Sequence, residues 1–199
     1  AGTCRAVIHA LDTRDKLTLD YPIAAGSPDG GRYASICFET FGQAMDGYGY
    51  AFDATQSESN VPPDTLIIMN LEGEETRITI DDLCSRIQSK PDDGVDFISH
   101  CQFSPDGKRL LFLRRQFRPN RRLRSEMFCL DIEGSSVQRI GFDDMVSHFT
   151  WLGPNTLLAF ANTEESDDGF YVADVNKQSI ADWTERLNSR DGHPHATPA

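Results

Sequence analysis

No stretch of this 199-residue sequence is long and apolar enough to cross a membrane as a helix, and no signal-peptide pattern opens it. Basic residues are in short supply: 19 Lys and Arg stand against 31 Asp and Glu, a formal net charge of −12. That balance argues against general nucleic-acid binding, which depends on Lys and Arg neutralising phosphates. No CxxC pair is present, so the usual spacing of a structural zinc site is missing. The cysteines (Cys4, Cys37, Cys84, Cys101, Cys129) are odd in number, and Cys37, Cys101 and Cys129 sit inside strand patterns, where a reduced thiol acts as a small hydrophobe. This usage points to a reducing, cytoplasmic setting, or a periplasmic one if a signal peptide has been removed. What is present, 39% hydrophobic and 10% aromatic residues, can fill a globular core.

The chain repeats itself. Ser104-Pro105-Asp106-Gly107 is flanked by Phe103 and by Leu110-Leu111-Phe112-Leu113, and Ser27-Pro28-Asp29-Gly30 precedes Tyr33 to Phe38. A degenerate third copy runs from His148 to Phe160. Pro presets φ at the first turn position, Asp accepts local backbone hydrogen bonds, and Gly takes the positive φ of a bulged hairpin. Second hairpins follow: Leu66–Leu71 turns at Glu72-Gly73, Met127–Ile132 at Glu133-Gly134, and Phe170–Val175 at Asn176-Lys177. Near the start, Arg5–Leu11 turns at Asp12-Thr13-Arg14. Two hairpins per unit make a four-stranded blade, so the expected fold is an all-β propeller of four-stranded antiparallel blades.

Aligned on the second hairpins, Ala10, Asn70, Asp131 and Asp174 fall in register at gaps of 60, 61 and 43 residues. A propeller blade takes roughly 40–50 residues, so the first two units carry insertions. The units divide as the end of one blade (1–20), three blades (21–80, 96–141, 146–181) and the start of another (192–199). About three and a half blades fall short of the roughly four to eight of a closed propeller. The expectation is part of a longer propeller, closed by missing blades or by a protein partner.

The SPDG hairpins resemble the WD40-like (PD40) repeats of TolB-like propellers across nearly the whole chain. That resemblance implies the fold and leaves function open, because such propellers serve as scaffolds, peptidase domains and lyases.

Two features point to a site. Residues 114–124 hold six arginines, Arg114, Arg115, Arg118, Arg121, Arg122 and Arg124, in an otherwise acidic chain. Guanidinium forks match carboxylates and phosphates, so the segment reads either as an inserted loop for an anionic ligand or as a surface loop answering acidic neighbours. Placing Phe103-Ser104-Pro105 over Trp151-Leu152-Gly153 and Ala196-Thr197-Pro198 brings His100, His148 and His193 to one position in three successive blades. Each is expected where the chain enters an innermost strand, on the face that carries the long connections. His195 can point to the same side as His193 in an extended strand. Converging imidazoles suit a divalent metal, a general base, hydrogen bonding to a ligand, or capping of a repeated strand start. Helices are expected at Asp81–Ile87 and Ala181–Leu187.

Ser147-His148-Phe149-Thr150-Trp151 and Gly192-His193-Pro194-His195 resemble parts of the oligogalacturonate lyases. The resemblance implies metal-assisted β-elimination on short pectin fragments, usually with manganese (Mn) bound by His and Gln. His148 with His193 or His195 would be the metal ligands and His100 the base, while Arg118 and Arg124 would neutralise the substrate's charge. Phe149 stands where the lyase pattern carries Glu, and the Gln ligand has no evident counterpart before His193. The alternative is a non-catalytic propeller that binds a glycan or protein with exposed aromatics such as Tyr48 and Tyr50.

Overall fold

The computed structural model describes residues 4–45, 47–48, 60–87, 94–117, 122–133, 136–187 and 190–196. Strands β1 (Ala6–His9) and β2 (Lys16–Leu19) form a two-stranded sheet. Three four-stranded antiparallel meanders follow. The first contains β3 (Ala25–Gly26), β4 (Arg32–Ser35), β5 (Thr65–Asn70) and β6 (Glu75–Thr79). The second contains β7 (Val95–Phe103), β8 (Arg109–Phe117), β9 (Leu123–Asp131) and β10 (Val137–Arg139). The third contains β11 (Val146–Trp151), β12 (Thr156–Thr163), β13 (Ser166–Asp174) and β14 (Ser179–Asp182). Helices α1 (Phe38–Ala44), α2 (Ile80–Arg86) and α3 (Thr184–Leu187) lie in the connections. Successive meanders of four strands, each packed on the next, are propeller blades.

The SPDG turns are built alike in both copies. The Ser104 hydroxyl donates to Asp106 Oδ1 (2.6 Å) and accepts from the Arg109 backbone N–H (2.9 Å). Ser27 makes the same pair of bonds, to Asp29 and from Arg32. Gly30 and Gly107 sit at φ 70 and 69, the left-handed conformation the turn requires. The conserved chemistry of this turn is therefore a buried serine that ties the aspartate to the returning strand.

Packing between blades uses both faces of the same strand. Leu110 and Phe112 of β8 join Leu66, Ile68 and Phe128 in one cluster, while Leu111 and Leu113 join Met127, Leu157 and Ala159 in another. That double burial explains why Leu110–Leu113 is a continuous apolar run rather than an alternating one. A third cluster of Leu19, Ile67, Met69 and Val61 seats the two-stranded sheet on the first blade. Between the second and third blades, Arg109 donates to Asn155 Oδ1 (2.6 Å) and Asn176 Oδ1 (2.8 Å).

Four expectations need correction. The arginine segment is not all connection: β8 runs to Phe117 and β9 begins at Leu123, so Arg114, Arg115 and Arg124 are strand residues. Only Arg118 and Arg121 of the six lie outside the described residues. The strand after the first SPDG turn ends at Ser35, because helix α1 starts at Phe38. Of Ala181–Leu187, the first two residues extend β14 and the helix is confined to Thr184–Leu187, since pairing with Tyr171 and Val172 holds Ala181 and Asp182 in the sheet. Finally, His100 stands well inside β7, five residues beyond its first residue, Val95. The expected helix at Asp81–Ile87 is present as α2, with Thr79 and Asp82 forming a capping box.

Candidate functional site

Two β-bulges position the histidines. The ladder between β7 and β8 shifts register between Ser99 and Gln102, and His100 within that bulge has φ 55. The ladder between β11 and β12 shifts between Val146 and His148. A bulge re-aims the side chain it carries and frees it from the strand's alternation. His100, Cys101 and Gln102 then share the wall of one open cavity of about 200 Å³ with His148, Phe149, His193 and Pro194. His193 stacks at a tilt on His148, ring centroids 4.0 Å apart. His195 is exposed and takes no part in the wall.

The imidazoles differ in surroundings. His148 Nδ1 lies 2.9 Å from Asp191 Oδ1, which also accepts from the Ser147 hydroxyl at 2.7 Å. Burial works to raise the Asp191 carboxyl, but these bonds with His148 and Ser147 prevail and hold it below the usual carboxylate range. His100 Nδ1 lies 2.9 Å from Ser99 Oγ. Burial, then the charges of Arg115, His148 and His193, push the His100 imidazole down to about 4, so it is neutral at neutral pH. Burial pushes the Cys101 thiol up to about 12, so it is protonated at neutral pH. Helix α1 and the residues after it supply Phe41 and the half-exposed Tyr48, whose rings stand 5.7 and 6.4 Å from His100.

The arginines divide. Arg114 is buried between Asp96 (2.6 Å) and Glu126 (3.2 Å), and Arg124 pairs with the same Glu126 at 3.1 Å. Among the described residues, this part of the segment answers acidic partners of its own blade. Arg118 and Tyr50 lie outside the described residues. Arg115 is the exception. It is 5% exposed, its Nη2 reaches only the carbonyls of Val146 (3.4 Å) and Ser147 (3.5 Å), and its Nε has no partner. Burial pulls the guanidinium down to about 10.

The donor set falls short of a metal site. Among the described residues, no group of three or more His, Cys, Asp and Glu side chains is arranged around one point. His148 and His193 offer two imidazoles beside Asp191, which is short of a closed ligand set. Sequence reasoning singled out His100, His148 and His193, and the cavity holds all three. It missed Gln102, whose buried Oε1 lacks a partner, and it did not separate Arg115 from its neighbours.

No protein-family model matches the chain, and no curated relative does. Among solved structures, the chain is similar to TolB from Acinetobacter baumannii, with 17% identity and a TM-score of 0.47 over 89% of this chain and 37% of that one. It is also similar to Pyrococcus horikoshii acylaminoacyl peptidase in an orthorhombic and an uncomplexed form, at 17% and 16% identity and a TM-score of 0.39 for each. Those two matches cover 75% of this chain and 22% of each peptidase chain. The chain thus spans little more than a third of TolB and under a quarter of the peptidase, and its blade architecture rests on its own sheets.

Proposed function

We propose that this propeller binds an acidic carbohydrate in the cavity lined by His100, His148 and His193. One observation carries the reading: in a chain of net charge −12, the described residues lining the cavity include three histidines and no carboxylate, the adjacent Asp191 being engaged by His148 and Ser147. An anion entering there meets imidazole rings, with the charge of Asp191 offset by its bonds to His148 and Ser147. Two further groups suit a sugar. The half-exposed Tyr48 ring beside His100 offers a flat apolar face, and Gln102 in the cavity wall carries a buried, unpartnered Oε1 that a turn of its side chain would present to a hydroxyl.

Calorimetric titration with trigalacturonate and with a neutral galactose trimer tests this. The acidic trimer should bind, the neutral one should not, and His148→Ala should weaken binding roughly tenfold, the cost of about one hydrogen bond to a charged group. Equal binding of the two trimers, or binding of neither, would overturn the reading.

A second reading, lyase-like β-elimination, draws on one geometric feature. Asp191 engages His148 at Nδ1, the arrangement by which a carboxylate orients a metal-ligating imidazole. Metal analysis of the purified protein beside its His148→Ala variant separates the two. Metal bound by the first and lost by the second supports the lyase-like reading, and metal-free protein in both removes it.

A further inference from the structure

Among the described residues the cation at residue 115 has no counter-ion, although 31 acidic residues are available in the chain and Arg114, next to it, has two. Alternation along β8 explains the difference. Arg114 opposes Glu126 directly across the ladder, whereas Arg115 opposes Phe97 on one side and Ser125 on the other. Arg115 therefore points with Leu111 and Leu113 toward the third blade, where it meets only the backbone of Val146 and Ser147.

A buried guanidinium satisfied by two long carbonyl contacts, with Nε unpartnered, is an incomplete arrangement. Its location says what would complete it. The carbonyls it touches belong to Val146 and Ser147, the two residues before His148, and its charge helps push the His100 imidazole down. It thus lies against the strand that carries His148, behind the residues that line the cavity.

We propose that Arg115, buried behind the cavity wall, is the oxyanion-binding residue of this site, its guanidinium exchanging the long carbonyl contacts for a ligand carboxylate that enters beside His148. The inference rests on the acidic-carbohydrate reading for the ligand's class, and on the unpaired cation for the residue. The planar fork accepts a carboxylate or a phosphate through two parallel N–H bonds. Arg118 and Arg124 are not required for it, since Arg124 is already held by Glu126.

The test uses the full chain, with Arg115→Met and Arg115→Lys, titrated calorimetrically with digalacturonate and with inorganic phosphate. Melting curves of each protein are recorded with and without the anion. In the parent protein one or both anions should bind and raise the melting temperature. Arg115→Met should weaken anion binding on the order of ten- to a hundredfold, while melting without anion at or above the parent's temperature. Arg115→Lys, which keeps the charge but loses the fork, should fall between the two. An unmoved melting temperature in the parent with both anions overturns the proposal, whether or not the variants fold. So does anion binding undiminished in Arg115→Met. Digalacturonate binding that survives Arg115→Met refutes Arg115 and leaves the carbohydrate reading standing. Phosphate binding that needs Arg115, with no digalacturonate binding, supports Arg115 and refutes the carbohydrate.

Discussion

His100 is a residue in a costly position, with a left-handed φ of 55 and an imidazole withdrawn from water. Its proton affinity falls from the ordinary 6.5 to about 4 through burial first, then the charges of Arg115, His148 and His193. Above pH 6.5 the group is neutral both folded and unfolded and contributes no pH dependence. As pH falls from 6.5 to about 4, the unfolded chain takes the proton and the folded one does not, so stability declines across that window. The full loss, on the order of 3 kcal/mol, is reached below the folded value. Urea unfolding at about pH 7 and about pH 4.5 should therefore show a larger acid loss for the parent than for His100→Gln; equal losses would refute this account. The three-histidine register was legible in the sequence because the SPDG turn serves as a ruler for residues upstream of it. The bulge that turns His100 into the cavity was not, because a bulge depends on how Ser99 and Gln102 pair with β8.

At the scale of elements, the hairpin β8–β9 shows what local patterning conceals. Leu110–Leu113 reads as strand, but Arg114, Arg115, Arg124 and Glu126 break the apolar pattern and look like loop. Cross-strand pairing keeps them in the sheet: Arg114 lies opposite Glu126, and Glu126 also receives Arg124 and Arg139 at 3.1 and 3.2 Å. Glu126 is almost wholly buried, so Glu126→Ala leaves three guanidiniums short of a partner and should cost about 3–5 kcal/mol. Chemical denaturation measures it, and a loss under about 1 kcal/mol would mean the pairs behave as solvated surface pairs. The turns, in contrast, were readable outright. Ser, Asp and Gly at their spacing dictate the bonds that both SPDG copies make, because those bonds are local.

At the scale of the whole molecule, stability resides between blades, where apolar clusters alternate along the row of sheets. Arg109 adds a polar link, joining the second blade to Asn155, Asn176 and the Pro154 carbonyl of the third. Arg109→Ala should lower unfolding free energy by about 1–3 kcal/mol, as expected for hydrogen bonds from a charged donor. Hydrogen exchange should show the third blade loosening ahead of the second, and uniform loss across both would refute a blade-specific link.

The sequence by itself determined the blade's hairpins: the repeated turns are legible because their bonds are local, and the apolar runs that flank them mark the strands. It also put the three histidines in register. Only the tertiary structure decided which polar side chains are satisfied. Whether an arginine meets a carboxylate depends on strand parity and on the neighbouring blade. Arg114 has two acidic partners while Arg115, one residue on and facing the other way, has none among the described residues.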